Sequence, residues 1–152
     1  MYSLDQYFIE IALLVAKKSK DESTKLGAVI VGPDNEIRST GYNSFPRGLN
    51  DTLGARQERP EKYHWFEHSE RNAIYNAARI GVSLKGCRMY LTPGPGVCCG
   101  CARAIIQSGV AEVILSGDMN TKQKWSEEAK RSMIMFEECG VKVRNYVPDM
   151  EP

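Results

Sequence analysis

The chain has 152 residues, 42% of them hydrophobic and 26% charged, with 20 Lys and Arg against 19 Asp and Glu, five cysteines and two histidines. That length suits one domain over 1–152 with a core that needs no disulfide scaffold, and the formal charge of +1 supplies no overall positive field for a nucleic-acid polymer. No apolar run reaches the roughly 18 residues of a membrane span, the start MYSLDQYFIE carries acids where a signal peptide carries lysines, and Cys98, Cys99 and Cys101 crowd too closely for a disulfide framework, which points to a reducing, cytoplasmic setting.

Residues 4 to 19 place Leu4, Tyr7, Phe8, Ile11, Leu14 and Val15 at helical spacing, and Ser3 with Gln6 resembles a capping box. LGAVIVG at 26–32 predicts a strand, Pro33-Asp34-Asn35 a turn, and 36–42 the second strand of a hairpin. Asn43 to Glu67 shows no clean periodicity, and a loop of that length in a compact domain is more often functional. A second helix is predicted over His68–Ile80, closed by Gly81, and a strand over CRMYLT at 87–92, broken by PGPGV. A third helix over Cys99–Ser108 ends at Gly109, and EVILS at 112–116 predicts a further strand. Trp125–Cys139 forms the last helix, stopped by Gly140, and VKVRNYV at 141–147 the last strand. The order α-β-β-α-β-α-β-α-β implies an α/β fold: a mixed sheet with helices on both faces.

His68-Ser69-Glu70 opens the second helix and Cys98-x-x-Cys101 opens the third. Zinc favours imidazole nitrogen and thiolate sulfur, and a catalytic site keeps three protein ligands and an open position. His68, Cys98 and Cys101 supply that count; a structural site would want a fourth ligand, and no second C-x-x-C provides one. Helix N-termini favour thiolate over thiol. Zinc can lower the pKa of a bound water from about 15.7 towards about 7, and Glu70 is the carboxylate placed to move the proton from that water to a substrate. Regular helix geometry opposes this pairing, because residues two apart point roughly 200° apart. His68 and Glu70 can converge only if His68 sits at an irregular first turn.

Other residues carry plainer readings. Cys99 lies between the ligands but cannot easily face the same ion. Cys87 and Cys139 read as small core residues, and His64 as a loop residue. Arg47, Arg56, Arg59 and Lys62 load the long loop with cations that Asp51, Glu58 and Glu61 balance. One or two of those cations, or Ser23 and Lys25 before the first strand, could instead meet a substrate phosphate.

H-x-E on one helix followed by C-x-x-C on the next is the signature of the cytidine deaminase superfamily, and the chain resembles its deoxycytidylate (dCMP) deaminases. The resemblance rests on STKLGAVIV at 23–31, GYNSFPRG at 41–48, HSERNAI at 68–74, CGCARAIIQSGVAEVIL at 99–115 and the tail WSEEAKRSMIMFEECGVKV. It implies a cytidine-deaminase-like three-layer α/β/α sandwich around a mixed five-stranded sheet. It also implies hydrolytic, zinc-dependent conversion of dCMP to dUMP and ammonia, by Glu-assisted attack of a zinc-bound hydroxide on C4 of cytosine. By position, His68, Cys98 and Cys101 match the zinc ligands, Glu70 the proton shuttle, and Asn43 the asparagine that contacts the nucleotide sugar. With Ser23, Lys25 and Arg47, Asn43 makes up the expected substrate-binding set. The resemblance further implies a homo-oligomer, hexamer or dimer, and an effector site for dCTP with Mg2+. Two positions depart from the family pattern: Ser69 stands where Ala is usual, and Val97 where Pro usually precedes the first Cys. The motif leaves open a related zinc deaminase for modified dCMP, dCTP, a nucleoside, guanine or tRNA adenosine, and a non-catalytic nucleotide-binding zinc protein.

Overall fold

A computed structural model describes residues 1–117 and 126–147. Helix α1 spans Leu4–Ala16, followed by strands β1 (Gly27–Val31) and β2 (Ile37–Tyr42), then α2 (Ser69–Ile80) and β3 (Arg88–Leu91). Helix α3 (Cys99–Gln107), β4 (Glu112–Ser116), α4 (Glu127–Glu138) and β5 (Lys142–Tyr146) complete the order. Every element expected from the sequence is present, with ends shifted by a few residues. The expected first residue of the last helix, Trp125, lies outside the described residues. The long irregular stretch holds two short 3-10 turns, Gly54–Gln57 and Glu61–His64.

The five strands form one sheet in the order β2-β1-β3-β4-β5. β1 runs antiparallel to both β2 and β3, while β3–β4 and β4–β5 are parallel, so the sheet is mixed. β1 is buried along its whole length, because strand alternation sends its residues into two different cores. Val29 and Val31 join Phe8, Ile9 and Ala12 of α1, with Tyr90 and Ile114, on one face. Ala28 and Ile30 pack on the other with Ala73, Cys101, Ile105 and Phe136 from α2, α3 and α4. Helices therefore cover both faces, giving the three-layer sandwich.

Two glycines set the spacing of those layers. A Cβ on Gly27 would run into the Ala12 carbonyl of α1, and one on Gly41 into the backbone of α2 at Ser69 and Ala73. Gly41 thereby lets α2 lie directly on β2, which fixes where α2 begins. Cys87 is fully buried, as expected, but Cys139 is exposed at the end of α4, which corrects its assignment to the core. It caps the helix where the chain turns outward through Gly140, whose φ is 74°.

Candidate active site

The ligand-bearing helices start side by side. His68 is the N-cap of α2, with extended backbone at φ −78° and ψ 153°. It therefore stands outside the helical period, and its imidazole turns towards α3 while Glu70 lies within the first turn. This is the irregular first turn that convergence requires. Cys98 is the N-cap of α3, and its sulfur accepts the Cys101 backbone N–H at 3.4 Å. His68 Nδ1 lies 3.4 Å from Cys98 Sγ and 3.3 Å from Cys101 Sγ. The three ligand atoms fall within 4.8 Å of one another, a donor set of one nitrogen and two sulfurs that fits zinc with a position to spare. Among the described residues they are the one His/Cys/carboxylate cluster of this kind.

The electrostatics suit a cation. A hydrogen bond from the Cys101 thiol, with His68 beside it, lowers the Cys98 thiol to about 3. The same shared proton, with burial, pushes the Cys101 thiol upward, and the Cys98 thiolate raises His68. The three donors are thus coupled to one another, and a bound dication would leave both sulfurs as thiolates.

Glu70 is buried, and its Oε2 lies 3.7 Å from Cys101 Sγ. Burial raises its carboxyl above the ordinary range, opposed by its own backbone N–H and by the His68 charge. Ser69 donates its hydroxyl to the same oxygen at 3.2 Å, so the residue that replaces the family's Ala is in contact with the proposed shuttle. Both line a narrow pocket with Leu26, Gly27, Thr92 and the loop residues Gly94, Pro95 and Gly96. The PGPGV segment is therefore a wall of this cavity, and Val97 is buried beneath it.

Neither ligand-bearing helix receives an ordinary side-chain oxygen cap at its N-cap position, since His68 and Cys98 occupy those places. Carboxylates from elsewhere serve instead. Glu67 Oε1 accepts the His68 N–H at 3.0 Å and Arg71 Nε at 2.5 Å, and Glu128 of α4 accepts the Cys99 N–H at 2.9 Å. Arg71 in turn reaches Gly100, where an added Cβ would stand 2.5 Å from its guanidinium. Cys99 turns its sulfur to the Glu128 carbonyl at 3.4 Å, away from the cluster. The Glu67–Arg71 pair has the i,i+4 spacing that sequence can suggest, but the contacts of Glu128 with Cys99 and of Arg71 with Gly100 link segments far apart in the chain and could not be read from spacing.

The expected substrate contacts divide into separate groups. Asn43 is buried, its Oδ1 accepting from Leu26 N at 2.8 Å and its Nδ2 donating to Thr24 O at 2.8 Å and Asp21 Oδ2 at 3.3 Å. Ser23 bonds Asp21 and Lys62, each at 2.9 Å, and Lys25 Nζ donates to the Ser19 carbonyl at 2.5 Å. Arg47 reaches Asn76 Oδ1 at 2.7 Å in a second groove along α2 that Lys20, Tyr75 and Arg79 also line. Arg56 stacks on Trp65 at 3.9 Å. His64 is an exposed member of a 3-10 turn and does not join the metal cluster.

Residues 2–116 match the family model for the cytidine and deoxycytidylate deaminase zinc-binding region. Mouse deoxycytidylate deaminase is 38% identical over 148 residues, covering 94% of this chain and 79% of its own. The human deoxycytidylate deaminase is 37% identical over the same span. In fold, the chain is similar to the dCMP deaminase of cyanophage S-TIM5 in complex with dCMP and dUMP, with a TM-score of 0.74, 22% identity and coverage of 94% of this chain and 96% of that one.

Proposed function

The chain belongs to the cytidine and deoxycytidylate deaminase family, and on that premise we propose that it hydrolyses dCMP to dUMP and ammonia. The observation that carries this reading is the meeting of His68, Cys98 and Cys101 beside a buried carboxylate, Glu70, at the edge of one cavity. His68, Cys98 and Cys101 would hold zinc, which when bound supplies water of much lowered pKa. Glu70 accepts a proton as that water adds to C4 of cytosine and returns it to the ring N3. Glu70 would then take the remaining proton of the added hydroxyl and pass it to the exocyclic amine, so that C4=O forms as the C4–N bond breaks and ammonia leaves. A carboxyl raised by burial is suited to both directions of transfer near neutral pH.

The ring would lie in the cavity that Glu70 and the PGPGV loop line, where Leu26 and Leu91 give apolar surface and Thr92 a polar atom. Asn43, Ser23, Lys25 and Arg47 are proposed to serve the sugar and phosphate. Their support is position in the matching motifs, together with the contact of Asn43 with Leu26 at the cavity wall. The remodelled loop, with Val97 for Pro, favours testing a second substrate on the same chemistry. Ammonia release across dCMP, CMP, dCTP, deoxycytidine, 5-methyl-dCMP and guanine decides between them. dCMP is expected to be turned over fastest, and greater turnover of any other member would replace it.

The proposal includes one domain over 1–152, a cytoplasmic setting and a homo-oligomer. Five free cysteines support the reducing setting. Outward apolar side chains on α1, Leu4, Leu13 and Leu14, support subunit contact. Light scattering is expected to give a mass above 17.0 kDa. An effector site for dCTP with Mg2+ rests on the family resemblance and is tested by whether the pair shifts the dCMP saturation curve.

A further inference from the structure

One buried ion pair has no part in the chemistry above. Asp21 is 4% exposed and Lys62 5% exposed. Lys62 Nζ sits 3.1 and 2.9 Å from the two Asp21 carboxylate oxygens and 2.9 Å from Ser23 Oγ, so all three of its protons are used. Two charges withdrawn from water at this depth are costly, and an apolar pair would commonly serve stability as well. The arrangement therefore calls for a reason other than stability.

Its connections supply one. Asp21 Oδ1 also accepts the backbone N–H groups of Ser23 at 2.9 Å and Thr24 at 3.2 Å, fixing the tight turn at 21–24. Asp21 Oδ2 and the Thr24 carbonyl then take the two Asn43 amide protons, which orients the amide. Oriented that way, Asn43 presents its oxygen to Leu26 N at 2.8 Å, while its own N–H donates to Leu26 O at 3.2 Å. Leu26 is clasped from both sides, and Leu26 with Gly27 lines the cavity that holds Glu70. A chain of hydrogen bonds thus runs from the buried pair to the cavity wall, joining the 61–64 turn to the start of β1.

We propose that Asp21 and Lys62 are positioning residues that set the Leu26 wall of the substrate cavity by orienting Asn43. This rests on the functional reading given above. The pair governs how tightly substrate is held and leaves the reacting groups, on α2 and α3, in place.

The test compares two double variants with the wild-type protein, each loaded with zinc. Asp21→Leu/Lys62→Met removes charge and hydrogen bonds together. Asp21→Asn/Lys62→Gln removes charge and keeps an acceptor at 21 and a donor at 62. The apolar double variant is expected to keep zinc and raise KM for dCMP about tenfold, the weight of one or two lost hydrogen bonds, with kcat within about twofold. The polar double variant keeps one acceptor at 21 where the carboxylate has two, and is expected to raise KM less than the apolar variant does. An unchanged KM in the folded apolar variant overturns the proposal. So does a fall in kcat with KM unmoved, or failure of the apolar variant to fold, which would make the pair a folding element. A zinc-loaded wild type that does not turn over dCMP would overturn the functional reading and this inference with it. Wild-type turnover with an unmoved KM in the variant overturns this inference alone.

Discussion

On the proposed reading Glu70 carries protons in both directions, and its side chain touches the Cys101 sulfur and the Ser69 hydroxyl at once. Glu70→Gln keeps the volume and removes the titrating group. It is expected to retain one zinc per chain and lose about 10²–10⁴-fold in kcat. His68→Ala and Cys98→Ala remove a ligand and are expected to lose the metal itself, measured by elemental analysis after gel filtration. Ser69→Ala removes the hydroxyl that reaches Glu70 Oε2. With zinc content unchanged it is expected to lower kcat by about fivefold, the worth of one hydrogen bond. At this scale the candidate cluster was legible in the sequence, since residue type and order reveal donor chemistry directly, and the structure brings His68, Cys98, Cys101 and Glu70 together. The convergence of His68 with Glu70 was not legible, because helical periodicity points them apart and only the extended backbone at His68 brings them together. The surroundings of Asn43 were equally hidden. Its family role is a motif property, but its partners Asp21, Thr24 and Leu26 come from a turn that the sequence pattern does not describe.

Helices α2 and α3 both begin on candidate metal ligands, His68 and Cys98, and the N–H groups of His68 and Cys99 go to the Glu67 and Glu128 carboxylates. Glu128 belongs to α4, which makes the last helix part of the metal site's support. Partners behind a ligand shell commonly change metal affinity by about 10–100-fold. Because Glu128 is exposed, Glu128→Ala is expected to speed zinc loss to a chromogenic chelator by about the lower of those factors, whereas Glu128→Gln keeps an acceptor and is expected to stay near wild type. The outer layer offers a pH test. Asp5 on α1 accepts two bonds from Arg144 on β5, both at 2.8 Å, and one from Tyr90 at 2.7 Å. The Arg144 bonds, reinforced by Tyr90 and opposed by burial, hold the Asp5 carboxyl below its ordinary value. A depressed carboxyl stabilises the fold above its unfolded pKa of about 3.9 and loses that contribution as pH falls through the folded value. Asp5→Asn is therefore expected to lower the urea midpoint at pH 7 and to converge with wild type as pH drops below about 4. Element order was legible because each strand and helix has its own apolar period. Strand order and the pairing of helix starts were not, since both depend on contacts such as Gly41 against α2.

Across the whole molecule, the sheet order places β3 at the centre, flanked by β1 and β4, with the candidate metal cluster on one face, under α2 and α3, and α1 on the other. On the proposed reading zinc would bind only the folded arrangement of His68, Cys98 and Cys101, drawn from two distant segments, and would so link stability to catalysis. Removing it with a chelator is expected to lower the melting temperature and abolish turnover, and returning zinc to restore both. The balanced charge of the chain supplies no overall positive field for a nucleic-acid polymer, and the cations of the long loop are dispersed: Lys62 is buried against Asp21, Arg56 lies on Trp65, and Arg47 faces the α2 groove. The most direct measurement is product formation from dCMP by the zinc-loaded protein beside zinc-loaded Glu70→Gln. Glu70-assisted deamination requires dUMP and ammonia in equal amounts from wild type and a loss of about 100-fold or more in the variant. No product from a fully zinc-loaded wild type, or undiminished turnover by Glu70→Gln, would contradict it.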